Sequence, residues 1–301
     1  MKFAVAGASG FIGRALVRRL EAEGHSVVRL VRRSVERLGE IEWNPVSGDV
    51  EQRPALEGLD GFVNLGGSNL AVGRWTAGRK DEILRSRVET TRTLVAVMTR
   101  LNHRPAAFVC ASAVGYYGDR GDEVLTEGSR PGAGFLATVC RAWEEEARIA
   151  ESVGIRTVLL RLGLVLGRGG GALQRLVPVF RAGFGGALGD GRQWVSWIAR
   201  EDVVGAVRRA LMDGGLAGPV NVVAPNPVRN AAFSEALARA LGRRVLWPVP
   251  AFVLRAVYQE MADEVLLAST RVRPQRLIDG EFAYAHPDLD EALRAGLLDA
   301  R

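Results

Sequence analysis

The sequence is poor in the residues that build disulfide, metal and membrane structures. It has two cysteines, Cys110 and Cys140, and three histidines, and their spacing matches neither a disulfide framework nor a metal motif. It has no apolar run long enough to form a transmembrane helix, which needs about 18 residues. The N-terminus lacks a charged segment followed by an apolar one, so we expect no signal peptide and a cytoplasmic protein.

Lysine is nearly absent as well, although the chain is basic. Of the 40 basic residues only Lys2 and Lys80 are lysines, and the formal net charge is +6. The arginines are spread along the chain with acidic residues between them, and no basic segment contains interleaved aromatic residues. We therefore expect no nucleic-acid or membrane partner and predict a small-molecule ligand. The oligomeric state is left open.

Hydrophobic periodicity predicts strands that alternate with helices in the first half of the chain. The predicted strands are Lys2–Ala6, Ser26–Val31, Gly61–Leu65, Ala107–Ala111 and Thr157–Leu162. The predicted helices between them are Gly10–Glu23, Lys80–Arg100 and Phe135–Val153. This alternation is typical of a parallel sheet with right-handed crossovers and helices on both faces.

The second half of the chain has a different composition. Leu166–Gly171 and Gly183–Gly191 are rich in glycine, and two more helices are predicted at Ala231–Leu241 and Phe252–Leu267. We predict an α/β fold with a Rossmann-type, doubly wound parallel sheet and a smaller, mostly C-terminal substrate lobe. The predicted Rossmann domain covers 1–165 with later contributions from about 197–224, and the predicted lobe covers 166–196 and 225–301.

The strongest local signal is a glycine turn between the first strand and the first helix. One glycine permits a sharp turn, a second lets the backbone approach a diphosphate, and a third lets the helix pack closely. The N-terminus of the helix offers free N–H groups and the positive end of its dipole to phosphate. The turn therefore predicts a dinucleotide site, and its residues are Gly7, Ser9, Gly10, Phe11, Ile12 and Gly13.

The end of the second strand distinguishes between the two nicotinamide cofactors. An acid at this place would bind the adenosine ribose of NAD, but the sequence reads Leu30-Val31-Arg32-Arg33. Arginine binds phosphate through a planar fork of N–H donors. We therefore predict NADP(H), with Arg32 and Arg33 at its 2′-phosphate. The alternative for Arg33 is a solvated loop arginine.

Further motifs resemble the extended short-chain dehydrogenase/reductase superfamily, and within it the NADP-binding branch called the epimerase family, whose substrates are unassigned. The matching segments cover nearly the whole chain and include Asn64–Gly67, Ser86–Thr91, Gly115–Gly118, Leu166–Leu173, Gly189–Trp194 and Arg271–Leu277.

This resemblance implies positions for further cofactor-binding residues. Leu65, Gly66 and Gly67 would run along the cofactor, Glu82 and Arg87 would face it from the next helix, and Leu164 would contact its nicotinamide end. A solvated helix charge for Glu82 and a core side chain for Leu164 are equally compatible with the sequence.

The catalytic pair of the superfamily is missing. Characterised members combine a serine or threonine with a YxxxK pair, in which the lysine lowers the pKa of the proton-transferring tyrosine. The tyrosine position here falls near Phe135 and Leu136, and the lysine position falls on Cys140, for which we expect a buried structural thiol. The candidates left for catalysis are Ser112, Tyr116 and Tyr117, and the alternative is that they are structural.

Two functions agree with these observations. One is an NADP(H)-dependent oxidoreductase or sugar-nucleotide-epimerase-like enzyme acting on an unknown small molecule. The other is a non-catalytic NADP(H)-binding sensor or partner protein on the same fold. Arg74, Arg168 and Arg192 are either partners of an anionic substrate or solvated side chains. No metal site is predicted.

Overall fold

The computed structural model describes residues 1–45, 53–245 and 247–297. Its strands are, in chain order, β1 (Lys2–Ala6), β2 (Ser26–Val31), β3 (Glu40–Glu42), β4 (Gly61–Asn64), β5 (Ala107–Ala113), β6 (Val124–Leu125), β7 (Arg156–Leu162), β8 (Leu164–Leu166), β9 (Trp194–Val195), β10 (Trp197–Ala199), β11 (Gly218–Val222), β12 (Val228–Arg229) and β13 (Arg271–Val272). Its helices are α1 (Phe11–Ala22), α2 (Ala77–Thr99), α3 (Phe135–Arg148), α4 (Leu173–Arg181), α5 (Arg200–Met212), α6 (Asn230–Ala240), α7 (Ala251–Tyr258), α8 (Gln275–Asp279) and α9 (Leu289–Leu297).

A seven-stranded parallel sheet forms the centre of the fold, in the order β11-β7-β5-β4-β1-β2-β3. From β1 the chain builds outward through β2 and β3, and then returns to the other side of β1 with β4. The order therefore reverses between β1 and β4. In an open sheet of this kind a ligand binds at that reversal, beyond the carboxyl ends of the strands. The doubly wound parallel sheet predicted from the sequence is confirmed.

Side chains along each strand point alternately to the two faces of the sheet, and both sets are apolar, so helices cover both faces. On β1, Phe3 and Val5 face the layer of α1 and α5, whereas Ala4 and Ala6 face the layer of α2 and α3. Apolar residues spaced by four, such as Leu16 and Leu20 on α1, give each helix its buried side. Burial of one such leucine stabilises the fold by about 1.5–3 kcal/mol.

The later part of the chain adds a smaller layer with its own core. Trp197, Phe233, Leu237 and Leu293 are buried there, where α6 packs on α9. Helix α4 was not predicted because it contains Pro178, which cannot donate the helical hydrogen bond.

The helix predicted over Phe252–Leu267 is wrong in its length. Helix α7 ends at Tyr258, Gln259 has a φ of 53°, and a π-helical turn follows at Ala262–Leu266. A non-glycine residue in the left-handed region cannot continue a right-handed helix, so the chain changes direction there.

The C-terminal part of the predicted lobe also returns to the sheet. Leu277 is buried against the layer of α1 and α5, and β13 pairs with β6. The Asp202 carboxylate on α5 accepts hydrogen bonds from the backbone N–H groups of Ala285 (2.5 Å) and His286 (3.1 Å). Residues 271–286, which the sequence placed in the predicted lobe, therefore pack on the helix layer of the central sheet. Within the described ranges, no helix is long and apolar enough to cross a bilayer.

Candidate functional site

The glycine turn lies at the reversal point of the sheet. Gly7 has a φ of 80°, and a Cβ on it would lie 2.8 Å from the carbonyl carbon of Leu65. A Cβ on Gly13 would lie 2.1 Å from the carbonyl oxygen of Gly7. Both glycines are therefore required by close backbone contacts, one with the loop after β4 and one between helix and turn.

The N-terminus of α1 is suited to an anion. Gly10 is its N-cap, no side chain caps it, and its first turn has no acidic residue. Ser9 and Gly10 are exposed beside it. Unpaired backbone N–H groups and the positive end of the helix dipole therefore face an open surface, which is the arrangement that binds the diphosphate of a dinucleotide.

The loop after β4 forms the other wall of this cleft. The side chain of Asn64, which is fully buried, accepts a hydrogen bond from the backbone N–H of Gly66 (3.0 Å) and donates one to the Thr91 hydroxyl (2.9 Å). Asn64 thereby fixes Leu65–Gly67 against the glycine turn. Its role as an anchor was not predicted from its position at a strand end, although it belongs to the motif that carries the resemblance.

The two arginines after β2 have different surroundings. Arg33 donates to both oxygens of Glu40, at 3.0 and 2.8 Å. Glu40 also accepts backbone hydrogen bonds from Glu36 and Arg37, and the Arg33 guanidinium together with these N–H groups lowers the pKa of Glu40 to about 2. Arg33 therefore holds this loop together. The role of both arginines at a 2′-phosphate stays a prediction.

Arg32 is the arginine available to a ligand. It is exposed, and it makes no hydrogen bond or ion pair with any residue of the described ranges. No described acid lies within ion-pair distance of its guanidinium, so its N–H donors are open to a phosphate of a ligand.

Helix α2 presents Glu82 and Arg87 differently. Glu82 is exposed and pairs with Arg79 at 2.5 Å, as a solvated helix charge would. Arg87 is partly buried, donates to the carbonyl oxygens of Ile83 (3.0 Å) and Ser68 (3.1 Å), and lies against Gly67. The structure therefore brings Arg87 to the Leu65–Gly67 wall, and cofactor contact by either residue stays a prediction.

Two of the three candidate catalytic hydroxyls are sealed inside a polar network. Ser112 donates to Glu144 at 2.7 Å, and Arg161 donates to both oxygens of Glu144 at 2.8 Å. Arg161 also donates to the Tyr117 hydroxyl (2.9 Å), which in turn donates to Asn221 (2.6 Å). All five side chains are buried. Burial raises the pKa of Tyr117 to about 12, so this phenol stays protonated and keeps its hydrogen bonds within the network.

Tyr116 is the candidate whose hydroxyl has no hydrogen-bond partner among the described residues. It is partly buried, its ring centroid lies 3.5 Å from the Arg161 guanidinium carbon, and its hydroxyl donates to no described residue. A catalytic role for Ser112 or Tyr117 would require the network to open first. Among these three residues, Tyr116 has the hydroxyl that no described residue binds, and a catalytic role for any of them stays a prediction.

Cys140 and Leu136 lie where the missing pair would stand. A Cβ on Gly115 would be 3.2 Å from Leu136 and 3.9 Å from the Cys140 sulfur, so both face the loop that follows β5. Burial raises the pKa of Cys140 to about 11, and the thiol is therefore neutral and a poor nucleophile near pH 7. This agrees with the structural thiol predicted from the sequence.

The glycine-rich segment after β8 closes over the start of α1. A Cβ on Gly170 would lie 2.4 Å from the ring of Phe11, so the ring packs directly on the segment. The Arg200 guanidinium lies 5.1 Å from the centre of the same ring and donates to the Arg168 carbonyl (2.9 Å). Leu164 is partly buried against the core of the smaller layer. Its contact with a nicotinamide stays a prediction.

Glu264, which the sequence did not indicate as a functional residue, joins the C-terminal region to α3. The two oxygens of Glu264 accept the backbone N–H groups of Phe135 and Leu136, each at 3.0 Å. Glu264 thus caps the helix that carries Cys140, across more than 120 residues of sequence. A cap from so far away leaves no local pattern that could have indicated it.

Three tryptophans of the chain, Trp75, Trp194 and Trp197, differ in their surroundings. Trp75 and Trp197 are buried core residues. Trp194 is partly exposed, with the Arg229 and Arg271 guanidinium carbons at 4.2 and 4.4 Å from its ring centre. Within the part of the chain that the structure describes, no cluster of His, Cys, Asp or Glu side chains could hold a metal ion.

Comparison with known proteins adds to this geometry. The model of the NAD-dependent epimerase/dehydratase family matches residues 3–223, and a domain of unknown function, DUF1731, matches residues 249–295. The epimerase family protein Mb2239 of Mycobacterium bovis is 42% identical over 290 residues, which cover 96% of this chain and 95% of that protein.

Two solved structures share the fold and a third of the sequence. The human epimerase family protein SDR39U1 (isoform 2), crystallised with NADPH, superposes with a TM-score of 0.90 at 34% identity, covering 99% of this chain and 100% of that one. A nucleoside-diphosphate sugar epimerase from Corynebacterium glutamicum has a TM-score of 0.79 at 34% identity, covering 98% of this chain and 58% of that one. The chain therefore belongs to the NAD-dependent epimerase/dehydratase family, among the SDR39U1-like epimerase family proteins.

Proposed function

We propose that this protein binds NADP(H) and transfers hydride between it and a small molecule, as an oxidoreductase or an epimerase-like enzyme. The observation that carries the proposal is the cleft at the reversal of the sheet. Its glycine turn and uncapped α1 N-terminus suit a diphosphate, and Arg32, which pairs with no residue of the described ranges, follows the neighbouring strand. The NADPH in the crystals of human SDR39U1 supports the same cofactor.

The residues present fit this cofactor. Gly7, Ser9, Gly10 and Gly13 would hold the diphosphate, since a Cβ at Gly7 or Gly13 would clash with neighbouring backbone. Arg32 would bind the 2′-phosphate through charge-assisted hydrogen bonds. The cofactor supplies the hydride chemistry, and the protein supplies binding, orientation and any proton.

Proton transfer is assigned to Tyr116. Ser112 and Tyr117 are consumed by the buried network with Glu144 and Arg161, so neither is available to a substrate. Tyr116 has the uncommitted hydroxyl beside them, with the Arg161 guanidinium over its ring. Its hydroxyl is therefore the one of the three that could give a proton to a substrate without opening the network.

Cofactor choice is tested by measuring affinity for NADPH and NADH in wild type, Arg32→Ala and Arg18→Ala. Arg18 is an exposed arginine on the outer side of α1 and controls for the loss of one positive charge. We expect Arg32→Ala to weaken NADPH binding by about tenfold or more, because a charge-assisted hydrogen bond contributes about 1.5–3 kcal/mol. NADH binding and the Arg18→Ala variant should be unchanged.

The alternatives give different results in the same assays. If wild type binds neither nucleotide, the proposed function is wrong. If Arg32→Ala weakens NADH as much as NADPH, Arg32 does not read the 2′-phosphate. With a panel of carbonyl substrates, net oxidation of NADPH indicates an oxidoreductase, whereas isomerisation without net oxidation indicates an epimerase. Bound NADPH that no substrate oxidises or uses would instead indicate a non-catalytic binding protein.

A further inference from the structure

Helix α7 is an apolar helix that the described part of the chain leaves largely uncovered. Among its eight residues, Arg255 is the only charged one and Leu254 is the only buried one. Its main neighbour in the described ranges is the π-helical turn Ala262–Leu266. A helix that is apolar on all sides is normally buried against other elements, so the exposure of α7 requires an explanation.

The exposed side chains of α7 form one apolar stripe. Successive residues of an α-helix are about 100° apart, so Phe252, Val253, Ala256 and Val257 share one side of it, away from Leu254. All four are exposed. Positions spaced by four residues meet along the surface of a helix, and an apolar stripe of this kind is what a helix packs against a neighbour.

Two aromatic side chains enlarge the stripe into a patch. Trp247 is 80% exposed and Phe184 78%, and Phe252 at the start of α7 is 73% exposed. The two segments that carry Trp247 and Phe184 run side by side, because the backbone N–H of Val249 donates to the carbonyl of Ala187 (2.7 Å). The first of these segments leads directly into α7. The α7 patch consists of Phe184, Trp247, Phe252, Val253, Ala256 and Val257.

The area of the α7 patch matches what a dimer requires. An aromatic side chain has about 150–250 Å² to bury, so the three aromatic residues, each about three-quarters exposed, present roughly 350–580 Å². A stable interface buries about 800 Å² on each partner, and in homodimers about 65% of it, roughly 520 Å², is apolar. The patch therefore supplies the apolar surface that one copy contributes to a homodimer of standard size.

The charges around the patch favour a second copy over a charged partner. Arg255, the one charge of α7, is paired with Asp263 of its own chain at 2.9 Å. The patch itself is uncharged, so it offers nothing that would select a partner of opposite charge. If two α7 helices pack antiparallel, Phe252 of each copy lies beside Val257 of the other. The stripe is thus complementary to itself, as a twofold interface requires.

We propose that the α7 patch is the interface of a homodimer, in which α7 of one copy packs antiparallel on α7 of a second copy. The inference does not depend on the proposed function, because no residue of the patch belongs to the cofactor cleft. Two copies with a net charge of +6 repel each other, and salt screens this repulsion. Association through the patch is therefore tighter at high salt than at low salt.

The first test is sedimentation velocity over protein concentrations from about 1 to 200 µM, in low and high sodium chloride. We expect the mass to rise from the monomer value of 32.5 kDa towards twice that value. Phe252→Glu and Val257→Arg should each weaken the dimer by about tenfold or more, because each buries an unpaired charge. The control Leu38→Glu, at a fully exposed residue in the loop before β3, should not change it.

The second test asks whether the partner is another copy of the chain. A mixture of Phe252→Glu and Val257→Arg should form a heterodimer, because antiparallel packing places the two opposite charges beside each other. Ala256→Cys should give a disulfide-linked dimer on mild oxidation with copper phenanthroline, whereas the control Leu38→Cys should not. The native thiols of Cys110 and Cys140 are buried and leave this reaction to the introduced one.

Four results would overturn the proposal. They are a wild type that stays monomeric at every concentration, equal association of wild type and Phe252→Glu, a mixture that forms no heterodimer, and equal cross-linking through both introduced cysteines. Vesicles of neutral and anionic phospholipid are tested alongside. If they bind monomeric wild type and not Phe252→Glu, the patch serves a membrane surface instead. Urea midpoints equal to that of wild type, measured at the lowest concentration, show that the variants are folded.

Discussion

The buried ion pair of Arg161 and Glu144 gives the most direct test of how this site is held together. The Arg161 and Glu144 side chains are 2% and 4% exposed, and they share two hydrogen bonds of 2.8 Å. Ser112 donates a third bond to the carboxylate, and Tyr117 accepts a third from the guanidinium. Each charge therefore depends on the other for its neutralisation.

Removing one partner leaves the other charge buried. Glu144→Leu leaves the guanidinium with only neutral acceptors and deprives the Ser112 hydroxyl of its acceptor. Arg161→Met leaves a buried carboxylate with Ser112 as its remaining donor among these contacts. Breaking a buried pair in this way costs about 3–5 kcal/mol. That is a large share of a typical stability of about 5–15 kcal/mol.

Removing both partners should cost much less. The double variant Glu144→Leu, Arg161→Met has no unpaired charge, and replacement of buried pairs by apolar residues is often neutral or stabilising, by about 1–4 kcal/mol. We expect the double variant to be more stable than either single variant. If the double variant loses little stability while each single variant loses about 3 kcal/mol or more, the coupling energy between the two positions is about 6 kcal/mol or more, above the range of about 0.5–3 kcal/mol usual for residues in contact.

Urea unfolding followed by tryptophan fluorescence measures these differences. With an m value of about 3 kcal/mol per molar urea, each single variant should lower the midpoint by about 1 M or more. Lys80→Met, which removes an exposed pair with Glu260, is the control and should shift it little. Single variants that each lose less than about 1 kcal/mol, or a double variant that loses their sum, would refute this account of the network.

Three further predictions follow from the buried thiols and from the cap of α3. Because burial raises the pKa of Cys110 to about 12 and of Cys140 to about 11, both thiols stay protonated in the folded protein, and at pH 8 a thiol reagent should modify neither until urea unfolds the chain; rapid modification of the folded protein would contradict this. Because both pKa values are raised in the folded protein, the contribution of the two thiols to the free energy of unfolding is fully present below about pH 9. It is lost as the pH rises towards 11 and 12, which urea unfolding at several pH values measures. Glu264→Ala removes the cap of α3 and should cost about 1–2 kcal/mol in urea unfolding, whereas Asp263→Ala, at an exposed pair with Arg255, should cost little; equal effects would argue against the cap.

The fold was predictable where its signal is local. The first strand, the glycine turn and α1 occupy consecutive residues, and the contact that needs Gly13 lies within that segment, whereas the contact that needs Gly7 is with Leu65 in the loop after β4. The alternation of strands and helices gave the parallel sheet for the same reason. The break at Gln259 was not predictable, because its neighbours continue the apolar periodicity and only the left-handed φ reveals it.

The two arginines after β2 show the limit of local reasoning at the site. The sequence predicts both Arg32 and Arg33 at the 2′-phosphate, with a solvated loop arginine as the alternative for Arg33 alone. Their difference depends on Glu40, which β3 places beside β2, so that Arg33 is paired and Arg32 is left exposed. A sequence pattern can predict which residue types reach a phosphate, but the structure decides which of them already has a partner.

The side of the cleft opposite the cofactor turn is built from long-range contacts. Ser112, Tyr117, Glu144, Arg161 and Asn221 come from five separate elements or loops and meet only in the folded chain. Their pairing explains why hydroxyls in the expected sequence positions are not free for chemistry. Since these groups neutralise one another, the charge available to a ligand on this side is that of Arg87, and the hydroxyl available is that of Tyr116. The chemistry of the site therefore follows from which polar groups the buried network leaves unpaired, and the absence of the YxxxK pair does not by itself remove either a cation or a phenol from the cleft.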